Sequence, residues 1–270
     1  MRGIQKTFSS LKSKREGGLI AYVTAGDPHP SYTPRIVEAL LQGGADIIEL
    51  GIPFSDPIAD GPTIQSATLR ALKSGTTPRK TLNIAEKIRE KTDAPLVLLT
   101  YYNPIFKMGV DTFFNSAQDS GVDGVIVPDL PIEEAEEYKE VAHNHEIDTI
   151  FLAAPSTPTS RLRKIIEYTS GFLYLVSLFG VTGARKKIQT RTIELIEKTV
   201  PIINQDIPLA VGFGISRLEH VKAVIQAGAD AAIVGSGFVR IIEREHRKEE
   251  QMLEDLREYA HQLKTGTMRE

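Results

Sequence analysis

Glu49 stands inside an apolar run, IIELGI (Ile47–Ile52), and Asp56 and Asp60 follow it closely in PFSDPIADGPTIQ. Carboxylates grouped this tightly suit proton transfer and the stabilisation of positive charge. Side chains alternate along a strand, so Ile48, Leu50 and Ile52 share one face while Ile47, Glu49 and Gly51 share the other. With the three aliphatics against a helix layer, Glu49 points inward, where desolvation raises its pKa toward neutrality. Such a group can both give and take a proton. A buried glutamate paired with a core Lys or Tyr is the alternative that the run leaves open. The Pro-flanked aspartates equally suit turn formation or a cap on the helix that Gly61-Pro62 announces, and spacing does not separate these uses.

Three glycine-bearing turns supply a second kind of chemistry: GVTGA (Gly180 to Ala184), GFGIS (Gly212 to Ser216) and GSGF (Gly235 to Phe238). Glycine lets a backbone approach a ligand closely, and the N–H groups of such turns bind phosphate without a cation. No GxGxxG opens a helix after the first apolar run, so a dinucleotide site is not indicated. No GxxxxGK followed by Ser or Thr is present either. None of the predicted strands carries a lysine, which argues against a Schiff-base aldolase.

The elements that must position these groups recur regularly. Eight β-branched-rich runs are predicted as strands: GLIAYVTAG (Gly18 to Gly26), DIIELGIP (Asp46 to Pro53), PLVLLTYYN (Pro95 to Asn103), GVIVPD (Gly124 to Asp129), TIFLAAP (Thr149 to Pro155), FLYLVSL (Phe172 to Leu178), PLAVGFG (Pro208 to Gly214) and AAIVGSG (Ala231 to Gly237). Their hydrophobicity is mostly continuous, as in parallel strands covered on both faces. Helical periodicity fills the gaps in SYTPRIVEALLQGG, TPRKTLNIAEKIREKT, IEEAEEYKEVAHNH and RLEHVKAVIQAG. A spacing of about thirty residues is that of a βαβ unit. Eight units without a linker predict an α/β fold, one (β/α)8 TIM barrel over residues 1–270; a doubly wound sheet is the alternative. IQKTFSSLKS is expected as an extra N-terminal helix under the barrel floor. The charged segment IIEREHRKEEQMLEDLREYAHQLKTG is expected as one final helix with a frayed tail.

In this fold the site lies at the C-terminal strand ends. Thr24, Gly26, Asp27, Glu49, Thr100, Tyr101, Asn103 and Asp129 fall there, and the glycine turns follow the last three strands.

Composition excludes several classes. A net charge of −3 across 270 residues, with no Lys/Arg stripe, offers nucleic acid no footprint. The absence of cysteine removes disulfides and thiolate chemistry, and the six histidines form no pair spaced for a metal. No apolar stretch of membrane-spanning length occurs, so a soluble, cytoplasmic protein is expected.

ELGIPFSDPIADGPTIQ closely resembles the signature of the tryptophan synthase alpha chain family. The likeness continues through AYVTAGDP, TYYNPIFKMG, GVDGVIVPDLP, LVSLFGVTGAR, and VGFGIS followed by ADAAIVGS. It implies an indole-3-glycerol-phosphate lyase, a retro-aldol enzyme releasing indole and glyceraldehyde 3-phosphate. By position in the motif, Glu49 is the implied general acid/base and Asp60 the carboxylate that accepts the indole N–H. Tyr174, Thr182, Gly183, Phe213, Gly214, Gly235 and Ser236 are carried to the phosphate site, and Tyr22, Leu99, Tyr101 and Ile126 to the indole pocket. The resemblance also implies a heterotetramer with a beta chain that holds pyridoxal phosphate, no cofactor in this chain, Pro53 and Asp56 at the partner surface, and GVTGARKK as a lid. Leu178 stands where some relatives have a basic residue.

Three other functions compete. A sugar-phosphate isomerase or epimerase on the same barrel would share GFGI and GADAAIVGS but lack the segment from Ile47 to Gln65. A non-catalytic activating subunit has no use for Glu49 and Asp60. A stand-alone lyase that releases free indole would keep both acids.

Overall fold

The computed structural model describes residues 3–177, 185–203 and 207–269, with the side chains of 185–189 left aside. Its parallel strands are β1 (Gly18–Thr24), β2 (Ile47–Gly51), β3 (Leu96–Leu99), β4 (Gly124–Ile126), β5 (Asp148–Ile150), β6 (Leu152–Ala153), β7 (Leu173–Val176), β8 (Leu209–Gly212) and β9 (Ala231–Val234). They hydrogen-bond in the order β5-β4-β3-β2-β1-β9-β8-β7-β6. Only Phe151 separates β5 from β6, so the two ends of that order are one run of chain and the sheet rolls up into a barrel. The eight predicted runs are therefore all present, the fifth in two pieces.

Strand alternation sorts the apolar residues into two layers. Ile20, Tyr22, Ile47, Val97, Leu99, Ile126, Ile150, Tyr174, Ala210 and Ile233 fill the lumen. Leu19, Ala21, Val23, Ile48, Leu50, Ile52, Leu96, Leu98, Val125 and Val211 pack outward against the helices. Those helices are α1 (Gly3–Ser13), α2 (Thr33–Gln42), α3 (Pro62–Lys73), α4 (Pro78–Arg89), α5 (Tyr102–Met108), α6 (Val110–Asp119), α7 (Glu136–Asn144), α8 (Thr159–Tyr168), α9 (Arg185–Ile203), α10 (Leu218–Gln226), α11 (Ser236–Glu245) and α12 (Glu249–Lys264). The α1 helix plugs the floor: Ile4 and Phe8 join the lumen cluster, and Phe8 packs on Phe172 at 6.1 Å between ring centroids.

Three expectations need correction. The run PLVLLTYYN turns helical at Tyr102, whose N–H is taken by Asp129 Oδ1 at 2.9 Å. The segment IEEAEEYKEVAHNH divides into a 3-10 turn (Ile132–Glu134) and α7. The last segment is two helices, α11 and α12, because α12 must turn to bury Met252, Leu256, Ala260 and Leu263 against α2 and α11. Its tail is not frayed either. Thr267 is fully buried and its carbonyl accepts the Gly17 N–H at 2.7 Å, Met268 bridges Glu16, and Arg269 bonds the Ala229 carbonyl at 3.0 Å. The chain ends are thereby held under the barrel.

Candidate active site

Glu49 lies on β2 directly between Tyr22 of β1 and Val97 of β3, in a lumen layer. It is 1% exposed, and its Oε2 has no hydrogen-bond partner among the described residues. A buried carboxyl oxygen without a donor is costly for structure and useful for chemistry. Burial, and second the charge of Asp60, push the Glu49 carboxyl up to about 8. At neutral pH it carries a proton. Of the alternative partners, a core lysine or tyrosine, none among the described residues bonds Glu49 Oε2.

Asp60 reaches the same mouth from the β2–α3 loop. It is half-buried, and burial raises it to about 6, less than it otherwise would because the Tyr101 hydroxyl favours its ionised form. The same phenolic oxygen accepts the Ala59 N–H at 3.0 Å, so Tyr101 holds the backbone next to Asp60. Tyr101 is 2% exposed, and Phe54 packs on its ring at 5.4 Å between centroids. Neither aspartate caps α3. Gly61 occupies the cap position without a side-chain bond, and Asp56 is exposed and takes a hydrogen bond from Ser55 Oγ at 2.5 Å. The capping alternative is thus set aside for both.

Of the expected pocket residues, Tyr22, Leu99 and Ile126 line the lumen with Glu49, all less than a tenth exposed. The Tyr22 hydroxyl pairs with Thr24 Oγ1 at 3.1 Å. Burial, then Asp60, raises its pKa well above the usual value. Tyr174 is raised likewise, by burial first and then by Glu49. Both phenols are neutral apolar walls with a polar tip turned toward the acids. Two glycines make room for them. A Cβ on Gly51 would lie 2.4 Å from the Tyr22 hydroxyl, and one on Gly212 would lie 2.3 Å from that of Tyr174. Sequence reasoning placed Gly51 on the lumen face and Gly212 in a phosphate turn, but gave neither this steric role. It also missed the hold of Tyr101 on the Ala59 backbone beside Asp60.

The Phe213 ring stands edge-on to Tyr174, with centroids 5.8 Å apart, and Phe213 and Gly214 form the turn after β8. Gly235 and Ser236 open α11 after β9, presenting the helix N-terminus to the mouth. Thr182 and Gly183 lie outside the described residues, as do Leu178 and the turn GVTGA; the side chains of Arg185, Lys186 and Lys187 are likewise not described. Pro53 is buried beneath the β2–α3 loop, whereas Asp56 and the 81%-exposed Ile58 face outward from it.

A parallel barrel whose mouth holds two carboxyl groups, raised to about 8 and about 6, is a (β/α)8 fold equipped for acid–base chemistry. The family model described as Tryptophan synthase alpha chain matches residues 8–268. The chain belongs to that family and is a lyase subunit of tryptophan biosynthesis. Among similar relatives, the tryptophan synthase alpha chain of Methanosarcina barkeri is 49% identical over 266 residues, covering 98% of this chain and 97% of that one. That of Pyrococcus abyssi is 48% identical over 248 residues, covering 91% and 98%. The tryptophan synthase subunit alpha of Legionella pneumophila superposes with a TM-score of 0.88 at 34% identity, covering 99% of this chain and 98% of that one. A chain from the a2b2 complex of Pyrococcus furiosus gives 0.86 at 45%, covering 92% and 98%.

Proposed function

We propose that this chain cleaves indole-3-glycerol phosphate into indole and glyceraldehyde 3-phosphate, with Glu49 moving the protons and Asp60 holding the charge. The observation that carries this reading is the pair of raised but separated acidities, about 8 for Glu49 and about 6 for Asp60. Environments that push two carboxyl groups apart mark out an acid and an anion.

The reaction needs both. Glu49, protonated at rest, gives its proton to indole C3, which leaves positive charge on the ring nitrogen. Asp60, ionised, accepts the indole N–H and stabilises that charge. The Glu49 carboxylate then takes the proton of the glycerol hydroxyl next to the bond. The electron pair of that O–H forms the aldehyde C=O, the carbon–carbon bond breaks, and its electrons restore the aromatic ring. Glu49 ends protonated, as it began.

Tyr22, Leu99, Tyr101 and Ile126 supply an apolar slot suited to a flat aromatic ring, and water kept out of that slot strengthens the two electrostatic contacts. The phosphate is assigned to Tyr174, Phe213, Gly214, Gly235 and Ser236, with Thr182 and Gly183 completing the set. The anion rests on backbone N–H groups and the α11 N-terminus rather than on cations.

The partner is a tryptophan synthase beta chain in an α2β2 assembly. One similar solved structure is described as the a2b2 complex from Pyrococcus furiosus. Pro53 and Asp56, in the loop that ends in Asp60, are assigned to the contact, which links partner binding to the position of the second acid. Pyridoxal phosphate is assigned to the partner, and the chain's own chemistry uses no cofactor. The enzyme is assigned to the cytoplasm; among the described residues no helix is long and apolar enough to cross a membrane.

The test is direct. The purified chain is incubated with indole-3-glycerol phosphate, with and without a beta chain, and indole is measured. Indole should form under both conditions and faster with the partner; none under either would remove the lyase reading.

A further inference from the structure

Phe213 has φ of +67°, and Gly214 follows at +76°. Glycine adopts this left-handed region freely, whereas a bulky side chain is disfavoured there and needs surrounding structure to hold it. The other non-glycine residues of positive φ, Arg15 and Glu146, end helices on the opposite, N-terminal side of the barrel. Phe213 alone, among the described residues, carries this conformation at the mouth.

Ser177 accounts for it. This residue follows β7, is 5% exposed, and meets the β8 end twice: its N–H donates to the Gly212 carbonyl at 2.8 Å, and its hydroxyl donates to the Phe213 carbonyl. Any residue could make the first bond. Only a side-chain donor makes the second. In a trans peptide the carbonyl and the next N–H point in opposite directions. A Phe213 carbonyl turned to Ser177 therefore sends the Gly214 N–H away from Ser177.

We propose that Ser177 is a positioning residue for phosphate binding: by clamping the Phe213 carbonyl it fixes the left-handed turn and aims the Gly214 amide at the substrate's phosphate. The same clamp keeps the Phe213 ring against Tyr174. This rests on the assignment of Phe213 and Gly214 to the phosphate site. Ser177 itself touches neither substrate nor reacting atoms.

The experiment titrates the full chain with inorganic phosphate and with glycerol 3-phosphate, by calorimetry and by amide shifts in NMR, and measures kcat and KM. Ser177→Ala should weaken both ligands and raise KM by about fivefold to tenfold, the loss of roughly one hydrogen bond, while kcat changes by less than about twofold. Ser177→Thr, which keeps the hydroxyl, should bind within about twofold of the parent. In a Phe213→Gly background, adding Ser177→Ala should cost less than about twofold, since glycine holds the left-handed turn without a clamp. Should Ser177→Ala not fold, Ser177→Thr against Ser177→Val makes the same comparison at equal shape. Unchanged affinity in Ser177→Ala, or a fall in Tm without a fall in affinity, overturns the proposal. If neither ligand moves the Gly214 amide in the parent chain, the phosphate assignment itself is wrong, a different result from binding that ignores Ser177.

Discussion

The Tyr101 hydroxyl oxygen accepts the Ala59 N–H at 3.0 Å, one residue before Asp60, whose ionised form the same hydroxyl favours. One phenol at the end of β3 therefore anchors the loop backbone beside a carboxylate and lowers that carboxylate's pKa. Tyr101→Phe keeps the ring and removes the donor. Asp60 should then titrate above its present value of about 6, because the hydroxyl that favours its ionised form is gone. The acid limb of the kcat/KM profile should move to higher pH, and kcat at neutral pH should fall about tenfold. An unmoved limb would contradict the role given to this hydroxyl.

The pH dependence of the parent follows from the same pair. Catalysis needs Asp60 ionised and Glu49 protonated, so kcat/KM should rise as pH passes about 6 and fall as it passes about 8. Steady-state kinetics from pH 5 to 10 would check this. A plateau that continues to pH 10 would mean that Glu49 does not need its proton.

Stability should carry the signature of the same buried acid. The folded value of Glu49, about 8, lies above the ordinary 4.5, so the native state binds this proton more tightly than the unfolded chain. Its contribution is fully present below about 4.5 and is lost as pH rises to about 8. Relative to Glu49→Gln, the parent should lose several kcal/mol over that window, at roughly 1.4 kcal/mol per pKa unit. Urea unfolding of both proteins across the window measures it, and Glu49→Gln should be the more stable of the two at pH 8.

A second buried carboxylate makes the opposite case. Arg70 of α3 grips Asp27 side-on, through Nε at 2.7 Å and Nη2 at 2.9 Å, and reaches Glu243 of α11 at 2.8 Å; the Asp27 side chain has no exposure. Burial raises Asp27 despite the arginine, and the hydrogen bond to Asp27 raises Arg70; the desolvation cost offsets the attraction, so the pair gains little net stability. Losing one partner is another matter. Arg70→Met should cost about 3–5 kcal/mol by stranding the aspartate, and adding Asp27→Asn should restore part of it. Equal destabilisation by the single and double variants would refute this.

Much of this was legible before any coordinates. Continuous apolar runs gave the parallel strands, and alternation around Glu49 gave its inward direction, because both are properties of a few neighbouring residues. The two-piece fifth strand, the helix start at Tyr102 and the ordered tail at Thr267 were not legible. Each depends on a partner far along the chain, as Tyr102 does on Asp129. The site divides the same way. Glu49 could be picked out by its misfit in an apolar run, but the holds of Tyr101 on Ala59 and of Ser177 on Phe213 join residues 42 and 36 positions apart in sequence. The steric need for Gly51 beside Tyr22 is equally invisible until the strands pair.

The central claim is that Glu49 moves the protons, and single-turnover release of indole by Glu49→Gln tests it most directly. A glutamine keeps the shape and cannot exchange a proton. With binding of glycerol 3-phosphate retained, indole release should fall by about a thousandfold or more. Release within tenfold of the parent would contradict the assignment.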